Sequence, residues 1–175
     1  MAGHVKYYPT VIVLFFFLAA GCGYHFSSQG EHIDKGIQTV FVDNFSNKTS
    51  EARIENYFRN QFIDEFRKGS RFKIVDRKES SDAILRGNIN RLTTSHLSYG
   101  KADLTKEDRV AVTMEVFFEE RKSKKIIWNN KNLSGSEEYK VDSNPTTTDI
   151  NRRNAIKKLA NDMAEKAYRY IMSGF

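Results

Sequence analysis

The chain has 175 residues, 39% of them hydrophobic and 13% aromatic, and Cys22 is its only cysteine. This length suits one domain with a single core, and a lone cysteine excludes a fold held by internal disulfides. The net charge of +6, from 28 basic and 22 acidic residues, favours an acidic partner such as phosphorylated lipid or an anionic membrane.

The first 21 residues have the pattern of a secretory signal peptide. A start containing Lys6 leads into ten apolar residues, 11–20, which are too few to cross a bilayer as a helix because that takes about 20 residues. The alternative, a buried core helix, is disfavoured because no cap precedes the apolar run and nothing polar interrupts it. An exported protein also has little access to nucleic acid, so we predict no nucleic-acid partner.

Cys22 stands where the signal peptide of a bacterial lipoprotein gives way to the mature chain. The sequence AAGC supplies the small residues that the processing site requires, although Leu18 is one position early for the usual leucine. The thiol of Cys22 would take a diacylglyceryl group and the new amino terminus an acyl chain, and more than one chain gives stable anchoring. We therefore predict a lipid attachment site at Cys22. Gly23, in place of aspartate, favours the outer membrane.

Residues 22–36 are polar and contain glycines, which indicates an acylated tether to a single domain at residues 37–175. The tether contains His25 and His32, but their spacing lacks the cysteine or carboxylate partners of a zinc site. No glycine-rich phosphate loop and no nucleophile–base pair is found along the chain. We therefore predict no metal site, no cofactor beyond the lipid on Cys22, and no enzymatic activity.

The domain begins with a predicted strand, helix and second strand. Residues 37–42 carry apolar side chains on both faces, which indicates a central or doubly covered strand. Thr49 or Ser50 can cap the helix, Gly69 can end it, and RFKIVD follows as a short strand. The predicted apolar face of this helix consists of Ile54, Tyr57, Phe58, Phe62 and Phe66.

The segment DAILRGNINRLTTSHLSY is a long predicted strand. Leu85, Ile89 and Leu97 fall on one face by simple alternation, and His96 falls on the polar, solvated face. Gly87 marks a bulge or a close approach of another group.

Two further strands complete a predicted meander, and a helix follows. RVAVTMEVFFEE alternates most clearly, and IIWNNKNLSGSEEY is the last strand. SNPTTTD then begins a helix with a basic solvated side and an apolar stripe. This stripe consists of Ile156, Leu159, Ala160, Met163, Ala167, Tyr170 and Ile171. These elements predict an α/β (α+β) two-layer sandwich, with two helices on a mixed sheet of about four to five strands.

The sharpest charged feature is RKSKK, at residues 121–125, in the predicted hairpin between the last two strands. Its cations can bind phosphate oxygens, with which arginine and lysine pair strongly. A solvated turn that discourages edge-to-edge aggregation explains the same residues equally well. The candidate phosphate-binding residues are Arg121, Lys122, Lys124 and Lys125.

The sequence resembles the lipopolysaccharide-assembly lipoproteins, the LptE family. GCGYHF and the stretch from IQTVFVDNFSN to DAILRGNI carry the likeness, which is clearest from Cys22 to about Ile89. The resemblance implies a non-enzymatic α/β sandwich, lipid-anchored on the periplasmic side of the outer membrane. It also implies that the domain plugs the lumen of a β-barrel partner, LptD, helps it to assemble and assists lipopolysaccharide delivery to the cell surface. Only Cys22 corresponds to a site of the family.

Other exported lipoproteins begin with a similar strand–helix–strand unit. They include activators of peptidoglycan synthases and subunits of outer-membrane secretion pores, and both remain alternatives. The short tether and GCGYHF favour the barrel plug.

Overall fold

The computed structural model describes residues 30, 32–97 and 106–174, so the signal peptide and Cys22 lie outside the described residues. Within those residues, two helices cover one face of a six-stranded mixed sheet. The strands are β1 (Thr39–Val42), β2 (Ser46–Asn47), β3 (Lys73–Ile74), β4 (Ala83–Leu97), β5 (Lys106–Glu120) and β6 (Ile126–Val141). The helices are α1 (Ile54–Lys68) and α2 (Pro145–Ser173).

The sheet combines a parallel half with an antiparallel half. Five strands follow the order β3-β1-β4-β5-β6, and the short β2 pairs with β4. β1 runs parallel to both β3 and β4, whereas β4, β5 and β6 form an antiparallel meander. The two-layer fold predicted from the sequence is confirmed, with one short strand more than expected.

The core lies between the helices and the sheet. Every second residue of β5 from Val110 to Phe118 is buried there, as the alternation predicts. Both helices supply the predicted apolar faces, except that Tyr57 and Tyr170 are only partly buried. The predicted core residues that are fully or almost fully buried include Phe58, Phe62, Val112, Val116, Leu159 and Met163.

The start of α1 differs from the prediction. The helix begins at Ile54, and its N-cap residue, Arg53, has a left-handed φ of 64° and no side-chain cap. The hydroxyl of Thr49 instead accepts a hydrogen bond from the backbone N–H of Glu51 at 3.2 Å, within the preceding turn. The prediction that Thr49 or Ser50 caps the helix is therefore wrong, because the local turn uses Thr49 first.

The predicted faces of β4 exchange at a bulge. The pairing of β4 with β5 shifts by one residue between Ile89 and Arg91. Beyond this shift, Leu92 packs against the core and Leu97 points to the other face, so the prediction that Leu97 shares a face with Leu85 is wrong. Gly87 is a point of close approach, because a Cβ there would lie 2.6 Å from the Phe45 ring.

The packed part of the chain already includes Gly30, seven residues before the predicted domain boundary. The N–H of Gly30 donates to the carbonyl of Met172 at 2.8 Å, and Ile33 is only 1% exposed within the core. The guanidinium of Arg71 also donates to the carbonyl of Ile37 at 2.9 Å. Residues 32–36, assigned to the tether by composition, therefore lie against the domain.

Neither described helix combines the length and hydrophobicity needed to cross a membrane.

Gly69 follows α1 for a reason that the sequence does not show. Its φ is −73°, so it needs no glycine-specific backbone conformation. The hydroxyl of Tyr168 instead donates to the carbonyl of Gly69 at 2.7 Å, and a Cβ at position 69 would lie 2.1 Å from that hydroxyl oxygen. Glycine is therefore required by the close packing of α2 on the end of α1.

We expect Gly69→Ala to destabilise the domain by roughly 1–3 kcal/mol, because Tyr168 must move and overpacking is costly. Equilibrium unfolding in denaturant measures this loss. Gly36→Ala is the matched control: Gly36 is exposed, and its nearest contact is the flexible side chain of Asp34 at 3.2 Å. Equal midpoints for the two variants would show that Tyr168 does not need this space.

Candidate phosphate-binding site

The β5–β6 hairpin places the basic segment at its tip, as predicted. Residues 121–125, here called the basic turn, connect Glu120 to Ile126. The N–H of Glu120 donates to the carbonyl of Lys125 at 2.9 Å, and the N–H of Lys124 donates back to the carbonyl of Glu120 at 3.0 Å. The hydroxyl of Ser123 also donates to the Glu120 carboxylate. These bonds give the turn a defined shape.

The four cations of the basic turn have different environments. Arg121 is half-buried, and its Nε donates to the carbonyl of Ser81 at 2.6 Å. Lys122, Lys124 and Lys125 are exposed, and no described carboxylate lies within salt-bridge distance of them. Arg121 therefore fastens the turn to the start of β4, while the three lysines remain available to an anionic ligand.

Asp82, beside the basic turn, is occupied by the backbone of β1. Its Oδ2 accepts hydrogen bonds from the Thr39 hydroxyl at 2.7 Å and from the N–H groups of Thr39 and Gln38 at 2.9 and 3.1 Å. These bonds, that of the Thr39 hydroxyl above all, hold the pKa of Asp82 below its ordinary value, and Lys122 adds a smaller effect. Asp82 therefore joins β1 to β4.

A cleft of about 570 Å³ opens beside the basic turn, between residues 32–37 and the start of β6. Its apolar lining includes Ile126, which is 40% exposed, and Lys35 and Lys125 are exposed beside it. The lining residues are His32, Ile33, Asp34, Lys35, Ile37, Glu120, Lys125, Ile126 and Ile127. The cleft thus combines apolar and cationic groups.

The shared cleft also shows where the basic turn lies in the domain. Residues 32–37, at the end of the predicted tether and the start of the predicted domain, line the cleft together with Glu120 and Lys125. The end of β4, the start of β5 and the start of α2 lie at the opposite end of the sheet. The basic turn therefore lies at the end of the domain at which the chain arrives from Cys22.

The sheet face opposite the helices carries paired polar side chains. Arg86 bonds to Glu119 at 2.5 Å, and the amide of Asn88 donates to Glu115 at 3.1 Å. The bond from Asn88 is the main reason why the pKa of Glu115 is lowered. Each of these carboxylates has a side-chain partner, Glu119 in an ion pair and Glu115 in a hydrogen bond, which distinguishes this face from the lysines of the basic turn.

A polar row that alternation along the sequence does not reveal lies at the opposite end of the sheet. Nδ1 of His96 lies 2.6 Å from Oδ1 of Asp108, and the Tyr139 hydroxyl donates to Oδ2 of Asp108 at 3.2 Å. Burial, followed by the Asp108 charge, raises the pKa of Tyr139. His96 is exposed as predicted, but it lies on the Asp108 side because of the bulge. Only the strand register could have revealed this row.

Metal binding has no support in the described part of the chain, where no group of three His, Cys, Asp or Glu side chains could hold an ion. His32 lies in the cleft beside Asp34, and a Cβ at Gly174 would lie 3.2 Å from its Nδ1. His25 lies outside the described residues.

Comparisons with known proteins give a family and a fold. The family model LptE, described as lipopolysaccharide-assembly, matches residues 37–171. No curated protein matches the chain. A minor lipoprotein from Acinetobacter baumannii has a TM-score of 0.51 and 10% identity, covering 79% of this chain and 92% of that one. Lipoprotein B from Nitrosomonas europaea has a TM-score of 0.51 and 11% identity, covering 79% and 84%. At these identities, the two structures support the fold only.

Proposed function

The chain belongs to the LptE lipopolysaccharide-assembly family, and from this premise we propose that it is an outer-membrane lipoprotein that plugs a lipopolysaccharide-transport β-barrel, LptD. In this proposal the protein helps the barrel to assemble and assists lipopolysaccharide delivery to the cell surface. The observation that carries the proposal is the family match, which extends over residues 37–171 and so includes every strand of the described sheet, all of α1, and α2 except for its last two residues.

The proportions of the domain suit a plug. β5 has 15 residues, which at about 3.3 Å per residue gives a strand about 50 Å long. A bilayer with its headgroups is about 40–45 Å thick. A domain built on such strands is therefore long enough to extend through most of a transmembrane lumen.

Crosslinking in membranes, followed by affinity purification and mass spectrometry of the captured protein, tests the proposed function. We expect a large outer-membrane β-barrel protein as the main product. Capture of a peptidoglycan synthase would instead support an activator of that enzyme. Crosslinks only between copies of this chain would support a subunit of a secretion pore.

We also propose that the basic turn contacts phosphates of lipopolysaccharide. The support is the chemistry of Lys122, Lys124 and Lys125, three exposed ammonium groups without a carboxylate partner among the described residues. Such groups gain most from a phosphate oxyanion, since charge-assisted hydrogen bonds are stronger than neutral ones. Arg121, the fourth candidate, contributes by holding the turn on Ser81.

Replacing Lys122, Lys124 and Lys125 together by serine should weaken lipopolysaccharide binding about tenfold at low salt, because three exposed ammonium groups that can pair with phosphate oxygens are lost. The loss should be smaller at high salt, because salt screens exposed charges. Titration of the purified protein with lipopolysaccharide at two salt concentrations measures this effect. Co-purification of the barrel should be unchanged.

The matched control replaces three exposed lysines elsewhere, Lys48, Lys131 and Lys140, so that the net charge falls by the same amount. An equal loss of binding in this control would assign the effect to net charge and not to the basic turn. Loss of the barrel with normal lipopolysaccharide binding would show that the lysines contact acidic groups of the partner protein.

A further inference from the structure

We infer that the end of the domain that carries the basic turn is a membrane-docking surface for the anionic phospholipids of the leaflet that holds the lipid anchor. The contact groups are Lys35, Lys122, Lys124, Lys125 and Ile126. This inference rests on the proposed acylation of Cys22 and adds a bilayer contact to the proposed function of the basic turn.

The reach of the chain places this end near the bilayer. Cys22 and Gly30 are eight residues apart, and no backbone conformation exceeds about 3.6 Å per residue, so Gly30 lies within about 29 Å of the anchor. Gly30 is fixed to the end of α2 by its hydrogen bond to Met172. The start of β5, at the opposite end, lies about 50 Å along the strand from the basic turn. The end that carries the basic turn is thus the one that the tether holds close to the membrane.

The charges at this end suit anionic headgroups. Lys122, Lys124 and Lys125 on the basic turn and Lys35 at the cleft are all exposed. The two acidic residues of the cleft are engaged locally: Asp34 accepts the N–H of Gly36 at 2.7 Å, and Glu120 accepts the Ser123 hydroxyl. Each lysine near an anionic surface improves binding about fivefold.

An exposed apolar side chain accompanies these lysines. Ile126 immediately follows the basic turn and is 40% exposed. Among the described residues, Ile150 is the other large hydrophobic side chain that is exposed, and it lies near the start of α2 at the opposite end of the domain. An apolar side chain beside several lysines is the combination that interfacial contacts use, with the apolar group in the headgroup layer and the cations on its phosphates.

Phospholipid and lipopolysaccharide present similar phosphate oxyanions to the lysines, so charge does not distinguish the two ligands. The two contacts differ in whether they depend on Ile126 and in whether they require a bilayer. A contact with the membrane surface depends on Ile126 and requires only phospholipid vesicles. A contact with lipopolysaccharide phosphates requires lipopolysaccharide in the assay.

The test uses the mature acylated protein in vesicles, with Ser123→Cys carrying an environment-sensitive fluorophore on the basic turn. Acylation of Cys22 leaves the introduced thiol as the only reactive one. We expect lipid-borne quenchers to quench the probe strongly in phosphatidylcholine vesicles that contain phosphatidylglycerol, and at least threefold less in phosphatidylcholine vesicles. The same probe at Ser143, exposed at the opposite end of the domain, should stay unquenched in both.

Two variants make the quenching specific. The triple change of Lys122, Lys124 and Lys125 to serine, and Ile126→Ser, should each reduce quenching at position 123, whereas the Lys48, Lys131 and Lys140 control should not. Thermal melts of every labelled variant exclude unfolding as the cause.

A probe that responds to added lipopolysaccharide but not to phosphatidylglycerol vesicles would overturn the inference. The proposed contact with lipopolysaccharide would then still stand. A probe that responds to neither overturns both roles of the basic turn.

Discussion

Replacement of Cys22 by alanine should move the protein from the membrane fraction to the soluble fraction or leave it unprocessed. Without the thiol, no diacylglyceryl group can be attached, and the acyl chains that provide stable anchoring are lost. Mass spectrometry of the amino terminus should show two or more acyl groups on Cys22 in the unchanged protein and none in the variant. We expect an almost complete change in fractionation, because each buried methylene contributes about 0.8 kcal/mol.

The chemistry of the thiol separates anchoring from other effects of the substitution. Cys22→Ser keeps nearly the same size and replaces the thiol by a hydroxyl, so it offers no sulfur for acylation and should fractionate like Cys22→Ala. Ser27→Ala, also between Cys22 and Gly30, should remain membrane-bound. The melting temperature should be unchanged in all three, because residues 22–29 belong to the predicted polar tether and lack the apolar pattern of a core element. An unmodified Cys22 in a chain that retains residues 1–21 would refute the lipoprotein assignment.

Periodicity predicted most of the fold because the buried faces are regular. Alternation along β5 and the 3.6-residue stripe along α2 each depend only on neighbours in the sequence, and both are confirmed. The bulge beside Asn90 could not be predicted in the same way. A single inserted residue exchanges the two faces of a strand without changing its composition, so simple alternation predicts the wrong face for Leu97.

The basic turn was found from the sequence because a hairpin tip is a local structure. Its position in the domain could not be found in this way, because that position depends on residues 40 to about 90 positions earlier in the chain. Arg121 contacts Ser81 only after β1, β4 and β5 have paired, and residues 32–37 reach the cleft only after they pack on α2. The link between His96 and Asp108 has a different cause, because the bulge in β4 moves His96 to the Asp108 side of the sheet.

Phe62→Ala should cost about 3–5 kcal/mol of unfolding free energy, the range for truncating a fully buried phenylalanine. Phe62 is in the middle of α1, is 0% exposed, and packs edge-on against Phe45 with ring centroids 5.1 Å apart. Phe45 in turn covers Gly87 of β4, so the truncation removes contacts between the helix and the sheet.

Domains of this size have total stabilities of about 5–15 kcal/mol, so this loss is a large fraction of the whole. The melting temperature should fall by roughly 10 °C, at a few degrees per kcal/mol. The single tryptophan, Trp128, is 7% exposed and reports unfolding by its fluorescence.

Phe117→Ala is the matched control. Phe117 is only half-buried, on the sheet face opposite the helices, so its truncation should cost less than half as much unfolding free energy. If both variants melted at the same temperature, the packing of α1 on the sheet would not be the main source of stability. A loss confined to Phe62→Ala would confirm that the stripe of phenylalanines on α1 holds the helix to the sheet.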